Sequence, residues 1–359
     1  MSIMAPGGIV RVPAFVDLHV HFREPGFPEK ETITSGARAA AAGGYRAVCM
    51  MPNTKPAIDC PKVLRDVDSI GRETGACILV ASAMTIGQNG TQPVDLEQMD
   101  AADTVGKSLM GHGICGVSED GKTLDDPVYM EEICREAKRL GIPVMDHAEP
   151  EVETVSRDVA LARRTGARVH IQHVSLAESV KLIRAAKAEG APVSCETAPH
   201  YIALTKDALS EQGANAKMNP PLAKERDRQA LIEGLCDGTI DCIATDHAPH
   251  ELSAKEGPID QAANGIVGLE TAFPVAYTIL VKGGYMTLVD LVSLMSINPS
   301  EIIGLPIPSD SYVNLDLDTE YQIDKNKFLS MGRNTPFHGM TVYGRVVKTV
   351  INGKVVYSC

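Results

Sequence analysis

The segment Asp17-Leu18-His19-Val20-His21-Phe22-Arg23 sets two imidazoles one residue apart, with a guanidinium two residues further on. In a strand alternate side chains share a face, so His19 and His21 point the same way and can grip one metal ion. Two ligands do not make a catalytic centre, and His-x-His also occurs on ordinary half-buried strands. Further donors stand at Asp120 in Ser118-Glu119-Asp120-Gly121, His147 in Met145-Asp146-His147-Ala148-Glu149, His173 in Ile171-Gln172-His173-Val174-Ser175, and Asp246 in Ala244-Thr245-Asp246-His247-Ala248-Pro249-His250. Four imidazoles and two carboxylates suit zinc and similar divalent ions, and a catalytic site of that kind leaves a position open for water or substrate. Taken singly, His147 and His173 are better explained as structural histidines than as ligands, and Asp120 is equally well explained as the aspartate of an Asp-Gly turn. Asp246 closes a strand too apolar to leave a carboxylate uncompensated. Beside a metal it could take a proton from bound water and return it to a leaving nitrogen, joining ligand and general acid–base roles.

Strand-length apolar runs recur at 14–21, 46–52, 77–85, 113–118, 142–147, 167–173, 192–197 and 241–246. Helix-like stretches lie between them, at 29–42, 61–74, 127–140, 175–189 and 224–236, several closing on glycine as helix C-termini do. Eight such alternations point to an α/β protein with a (β/α)8 TIM-like barrel, whose active site lies at the C-terminal ends of the strands. The polar residues fall there: His19 and His21 at the end of the first strand, Asn53 after the second, Asp120 after the fourth, and His147, His173 and Asp246 at the ends of the fifth, sixth and eighth. Further helices are expected at 268–284 and 287–296. From 312 onward the pattern changes to apolar–polar alternation with an Asn352-Gly353 turn, a hairpin signal.

A chain of 359 residues, 44% hydrophobic and 22% charged, with a mean hydropathy of −0.03, is composed like a globular protein. No apolar run reaches the roughly 18 to 20 residues that span a bilayer. Met1-Ser2-Ile3-Met4-Ala5-Pro6-Gly7-Gly8 lacks the basic start and apolar stretch of a secretory signal, so a cytoplasmic location is expected. The formal charge of −12, from 34 basic and 46 acidic residues with no basic run, argues against nucleic-acid binding, and an anionic substrate would need a local basic pocket. Nine scattered cysteines without Cys-x-x-Cys spacing argue against a disulfide framework or a thiolate zinc site. Gly106-Lys107-Ser108 imitates the end of a phosphate-binding loop, but Ala101 stands where that motif needs its first glycine. His112, His170, His200, His247 and His338 lack matching partners and are read as packing, supporting or surface groups.

With these residues assembled, the sequence resembles the dihydroorotases of the amidohydrolase superfamily over nearly its whole length. The resemblance rests on DLHVHFREPG (17–26), MPN (51–53), GVSEDG (116–121), HAE (147–149), HVS (173–175), NPPL (219–222), TDHAPH (245–250), GIVGLET (265–271) and NTPFHG (334–339), in order and with similar spacing. It implies a distorted (β/α)8 barrel at 13–310 and a small, incomplete β-sandwich appendage from 1–12 plus 311–359. It implies two zinc ions per chain, one held by His19, His21 and Asp246, the other by His147 and His173, bridged by Asp120 and a hydroxide. Many relatives bridge with a carboxylated lysine. Gly113-Ile114-Cys115 offers none, so the chain is similar to the branch bridged by aspartate. The implied substrate contacts are His21, Arg23, Asn53, Asn219, His250 and the wall at Asn264-Gly265, where that branch often has Phe-Gly.

The implied reaction is reversible hydrolysis of (S)-dihydroorotate to N-carbamoyl-L-aspartate, the third step of pyrimidine synthesis, with Asp246 shuttling the proton. A small-molecule substrate, a homodimer and association with aspartate transcarbamoylase are the implied partners. The alternatives are another cyclic amidase (hydantoinase, allantoinase or dihydropyrimidinase) or an inactive homologue that scaffolds the transcarbamoylase.

Overall fold

A computed structural model describes residues 8–359 and the backbone of Ile3–Met4. Met1, Ser2 and 5–7, part of the expected appendage and of the stretch read as lacking a secretory signal, lie outside the described residues. Eight parallel strands follow one another in sequence order: β1 (Phe15–Val20), β2 (Tyr45–Met50), β3 (Cys77–Ala83), β4 (Gly116–Ser118), β5 (Val144–Asp146), β6 (Val169–Ile171), β7 (Val193–Thr197) and β8 (Cys242–Ile243). Every residue of β1 and β2 is buried, as a sheet covered on both faces requires. Inside the ring Val16, Leu18, Cys49, Met51, Leu79, Cys115 and Met145 form one packed cluster.

The ring closes by a different device between β1 and β8. Val20 bridges His247, and the His21 amide donates to the His247 carbonyl at 2.8 Å. The Asp17 carboxylate accepts the Thr245 amide at 3.1 Å and the His19 amide at 3.0 Å. A side chain thus fills a seam where backbone would ordinarily pair, and burial pushes the Asp17 carboxyl up to about 7. The pairing of β1 with β2 also slips between Asp17 and Val20, placing three residues of β1 against two of β2. Such a bulge re-aims side chains, and here it falls on His19.

The expected helices at 61–74 and 127–140 are present with those bounds, each opening on proline and ending at a left-handed glycine, Gly75 or Gly141. Those expected at 175–189 and 224–236 run Ala177–Ala188 and Glu225–Asp237. The first helix starts at Ile33, four residues later than expected. Thr32 caps it, its hydroxyl accepting the Ser35 amide while the Ser35 hydroxyl accepts the Thr32 amide. The later helices also differ from expectation. Ala272–Ala276 widens into a π-helical turn at Tyr277–Lys282, and Leu288–Val292 widens at Ser293–Ile297 before Asn298–Ile303. The second of these ends beside Pro299, which has no N–H to donate to the preceding turn. Gly106 lies in the short helix Thr104–Met110, where a Cβ would stand 1.6 Å from the Gly113 carbonyl oxygen; close backbone approach accounts for this glycine.

Five antiparallel strands form a separate sheet in the order Ile3–Met4, Ile9–Pro13, Tyr312–Asp316, Arg345–Ile351 and Lys354–Ser358. The Asn352-Gly353 turn has positive φ at both residues, 49° and 74°, as a tight hairpin needs. Val10, Val12, Val313 and Leu315 belong to the same buried cluster as Phe15, Tyr45 and Phe273, so this sheet continues the core of the barrel. No helix among the described residues is long and apolar enough to cross a membrane.

Candidate active site

The strands stop one to three residues before His147, His173 and Asp246, rather than ending in them as expected. His173 and Asp246 adopt φ of 35° and 48°, a conformation no ladder accepts, which ends the strand and turns each side chain over the barrel mouth. All six expected donors converge there. His19 Nε2 lies 3.0 Å from Asp120 Oδ1 and 3.6 Å from Asp246 Oδ1; His21 Nε2 lies 3.0 Å from Asp246 Oδ1 and 3.5 Å from Asp120 Oδ2. His147 Nδ1 stands 3.5 Å from Asp120 Oδ1 and 2.7 Å from His173 Nε2. Two overlapping groups could each hold an ion: His19, His21 and Asp246, and His19, Asp120 and His173.

The outer nitrogens of three of these rings are already committed. His19 Nδ1 donates to Glu196 Oε1 at 2.9 Å, His21 Nδ1 to Asn53 Oδ1 at 2.9 Å, and His147 Nε2 faces Glu149 Oε2 at 3.3 Å. This fixes each tautomer and aims the remaining lone pair inward, the arrangement of metal-ligating histidines. His19 Nε2 is buried and, although Asp120 Oδ1 is 3.0 Å away, makes no well-directed hydrogen bond among the described residues, as a nitrogen facing a cation site would. The residues present therefore fit a divalent metal. Burial opposes ionisation of Asp120 and Asp246, yet the surrounding imidazoles prevail and hold both carboxyls well below the usual range. Burial, then His147 and His19, push His173 down to about 3, which leaves a neutral ring able to ligate.

A cavity of about 250 Å³ opens above these donors. Arg23, Asn53, Asn219, His250, Asn264 and Gly265 all line it, with His21. Among the described residues Arg23 bonds through its Nε alone, to the Pro249 carbonyl at 3.3 Å, which leaves both terminal nitrogens able to pair with an anion. Asn53 donates to Asp120 Oδ2 at 3.0 Å and so ties the pocket to the metal donors.

Several contributors were not singled out from sequence. Glu196 lies within β7, where its two oxygens take His19 and, at 3.0 Å, His170 Nε2; a carboxylate inside an apolar run was the available signal. Burial opposes its ionisation, but His170 and His19 prevail and bring it down to about 2. Glu149 accepts from Asn219 Nδ2 at 2.9 Å as well as facing His147. Glu31 gathers His247 Nε2, the Ser35 and Ser330 hydroxyls and the Met331 amide, anchoring the loop after Asp246. Asn334 donates to the Ala248 and Gly265 carbonyls and accepts the His250 amide, so a residue late in the chain holds the cavity rim. His112 bonds only to the Ile114 and Ile303 carbonyls, and His200 is kept neutral by burial, its pKa pushed down to about 4.

The model of the amidohydrolase family matches residues 10–356. A dihydroorotase of Thermoanaerobacter sp. (strain X514) is 42% identical, the match covering 96% of this chain and 86% of that protein. One from Staphylococcus epidermidis is 40% identical, covering 99% and 89%. Among solved structures the L-hydantoinase (dihydropyrimidinase) of Arthrobacter aurescens superposes with a TM-score of 0.88 over 99% of this chain and 88% of that one, at 24% identity. At that identity it shows a shared fold, and barrels of one fold host many activities. Identity near 40% along almost the whole length reaches beyond architecture, and on that ground the chain belongs to the amidohydrolase family, among its dihydroorotases.

Proposed function

We propose that the protein hydrolyses (S)-dihydroorotate reversibly to N-carbamoyl-L-aspartate, the third step of pyrimidine synthesis. The observation that carries the reading is one cavity lined by five of the six donors, with the sixth, His19, buried 3.0 Å from Asp120 Oδ1, beside the Arg23 guanidinium, whose terminal nitrogens have no partner among the described residues. The cofactor proposed is a pair of zinc ions, His19, His21 and Asp246 holding one, His147 and His173 the other, with Asp120 between them. When bound, such ions make a coordinated water acidic and polarise the ring carbonyl.

Arg23 pairs with the substrate carboxylate through its two terminal nitrogens, and Asn53 and Asn219 orient the ring, with His250 and the Asn264-Gly265 wall opposite. Asp246, held ionised, accepts the proton of the attacking water through a carboxylate oxygen. As the amide C–N bond breaks, it delivers that proton to the departing ring nitrogen. In the synthetic direction Asp246 takes a proton from the carbamoyl nitrogen as that nitrogen attacks the side-chain carboxylate carbon, and returns it to the departing oxygen, which takes up one further proton from solvent to leave as water. We extend the proposal to a homodimer in the cytoplasm able to associate with aspartate transcarbamoylase, as the family resemblance implies.

Elemental analysis and a dihydroorotate hydrolysis assay on the same samples, wild type and Asp120→Ala, test the reading. About two zinc ions per chain with turnover, both falling in the variant, are expected. Full metal without turnover would point to a different cyclic amide, and a metal-free, inactive wild type after remetallation would point to a scaffold.

A further inference from the structure

The loop that leaves the barrel after β8 begins at His250 and returns at Asn264, so both its ends belong to the cavity wall. Two lysines hold it. Lys255, only 8% exposed, donates to the Lys217 carbonyl at 3.0 Å and to the Ala263 carbonyl at 2.7 Å. Lys217 reaches the opposite way, donating to the Asp260 carbonyl at 2.9 Å and the Ala262 carbonyl at 2.6 Å. The Lys217 carbonyl also accepts the Gly265 amide at 3.0 Å, so one oxygen receives both the buried ammonium and the wall residue. The Ala263 amide returns to the Ala254 carbonyl at 2.8 Å, and His250 Nε2 to the Asn264 carbonyl at 2.7 Å.

All four acceptors of the two ammoniums are main-chain carbonyls, and among the described residues neither lysine forms an ion pair. That is unusual for a lysine as deep as Lys255 in a chain with twelve more acidic than basic residues. Burial, then the charge of Lys217, lower the Lys255 pKa to about 8. The bonds run between two stretches that each present substrate-facing groups: Lys217 precedes Asn219 by two residues, and Ala263 directly precedes Asn264 and Gly265. At Gly265 there is no slack, since a Cβ there would lie 2.6 Å from that of Ala248.

We propose that Lys255 and Lys217 are positioning residues whose crossed ammonium–carbonyl bonds clasp the 251–263 loop to the segment before Asn219, setting the width of the cavity between Asn219 and the Asn264-Gly265 wall and leaving two uncompensated positive charges behind it that favour an anionic ring. The substrate rests on the dihydroorotase reading; the clasp itself does not. Loss of the clasp weakens substrate binding while the reacting groups on the other strands stay in place.

The test uses metal-loaded Lys255→Met and Lys217→Met, since methionine keeps the apolar stem and removes charge and donors. In Lys255→Met the KM for dihydroorotate rises about tenfold or more, as expected for lost charge-assisted hydrogen bonds, with kcat within about threefold. Metal content is unchanged and hydrogen exchange quickens at the Ala263 and Gly265 amides. The double variant is no worse than about twice the poorer single one, because the two ammoniums act as a unit. A purely structural lysine would lower the active fraction, and hence apparent kcat, at constant KM; that result, or unchanged exchange, overturns the proposal. If Lys255→Met does not fold, Lys217→Met decides by the same criteria. If the wild type fails to hydrolyse dihydroorotate, the functional reading falls, and the exchange measurement still judges the clasp.

Discussion

At the scale of residues, the proposed function makes Asp246 the place where ligand and acid–base roles meet. Asp246→Asn keeps the shape and one oxygen donor but cannot accept the proton. We expect fold and most metal to survive while turnover falls by about 10²- to 10⁴-fold, read from kcat together with metal content. Rates like those of the wild type would remove Asp246 from proton transfer. Glu196 acts one step further out, through His19. Glu196→Gln leaves a hydrogen-bonding group but discharges it, and metal affinity should drop by roughly 10- to 100-fold in competition with a chelator; unchanged affinity would reduce Glu196 to packing. The six donors were legible in the sequence because each sits at or just beyond an apolar run. Asn334 was not, since the carbonyls it holds lie 86 and 69 positions away and no local pattern records such a pairing.

At the scale of elements, apolar runs located all eight strands, whereas their ends depended on φ values at His173 and Asp246 that composition does not reveal. The helices starting at Pro61 and Pro127 were readable because proline and glycine punctuate both of their ends. The π-helical turns before Lys282 and Ile297 carry no comparable mark. The helix Pro61–Thr74 also carries a cost. Its buried Asp68 faces Asp103, the cap of the short helix Thr104–Met110, and among the described residues neither oxygen of Asp68 has a well-directed hydrogen bond. Burial, then Asp103, raise the Asp68 carboxyl to about 7, with Arg72 offsetting only part. Between about pH 4, where the unfolded chain ionises, and about 7, the folded chain holds a proton the unfolded chain has lost, so this group makes stability fall as pH rises. Asp68→Asn should therefore raise the urea midpoint more at pH 8 than at pH 5.5. Equal shifts at the two pH values would show that Asp68 does not titrate in this way.

At the scale of the whole molecule, the count of eight alternations made the barrel legible. Its closure was not, because it depends on the Asp17 carboxylate taking an amide 228 positions away. His19 and His21 stand on one side of that seam and Asp246 on the other, so an ion held by all three ties the first strand to the last. Chelation should lower the melting temperature by about 5 °C or more, measured with and without added metal; an unchanged value would mean that the seam holds without it.

The same seam bears on the order in which the protein is made. His21 and Asp246 touch at 3.0 Å but are 225 positions apart in the chain. A ribosome makes the aspartate 225 residues after His21, once seven further strands have followed. Until then the barrel has no last stave, and the early histidines are one donor short. On the proposed ligand set, metal loading is therefore a late event in the life of the chain, one that only a barrel with its last strand made can complete.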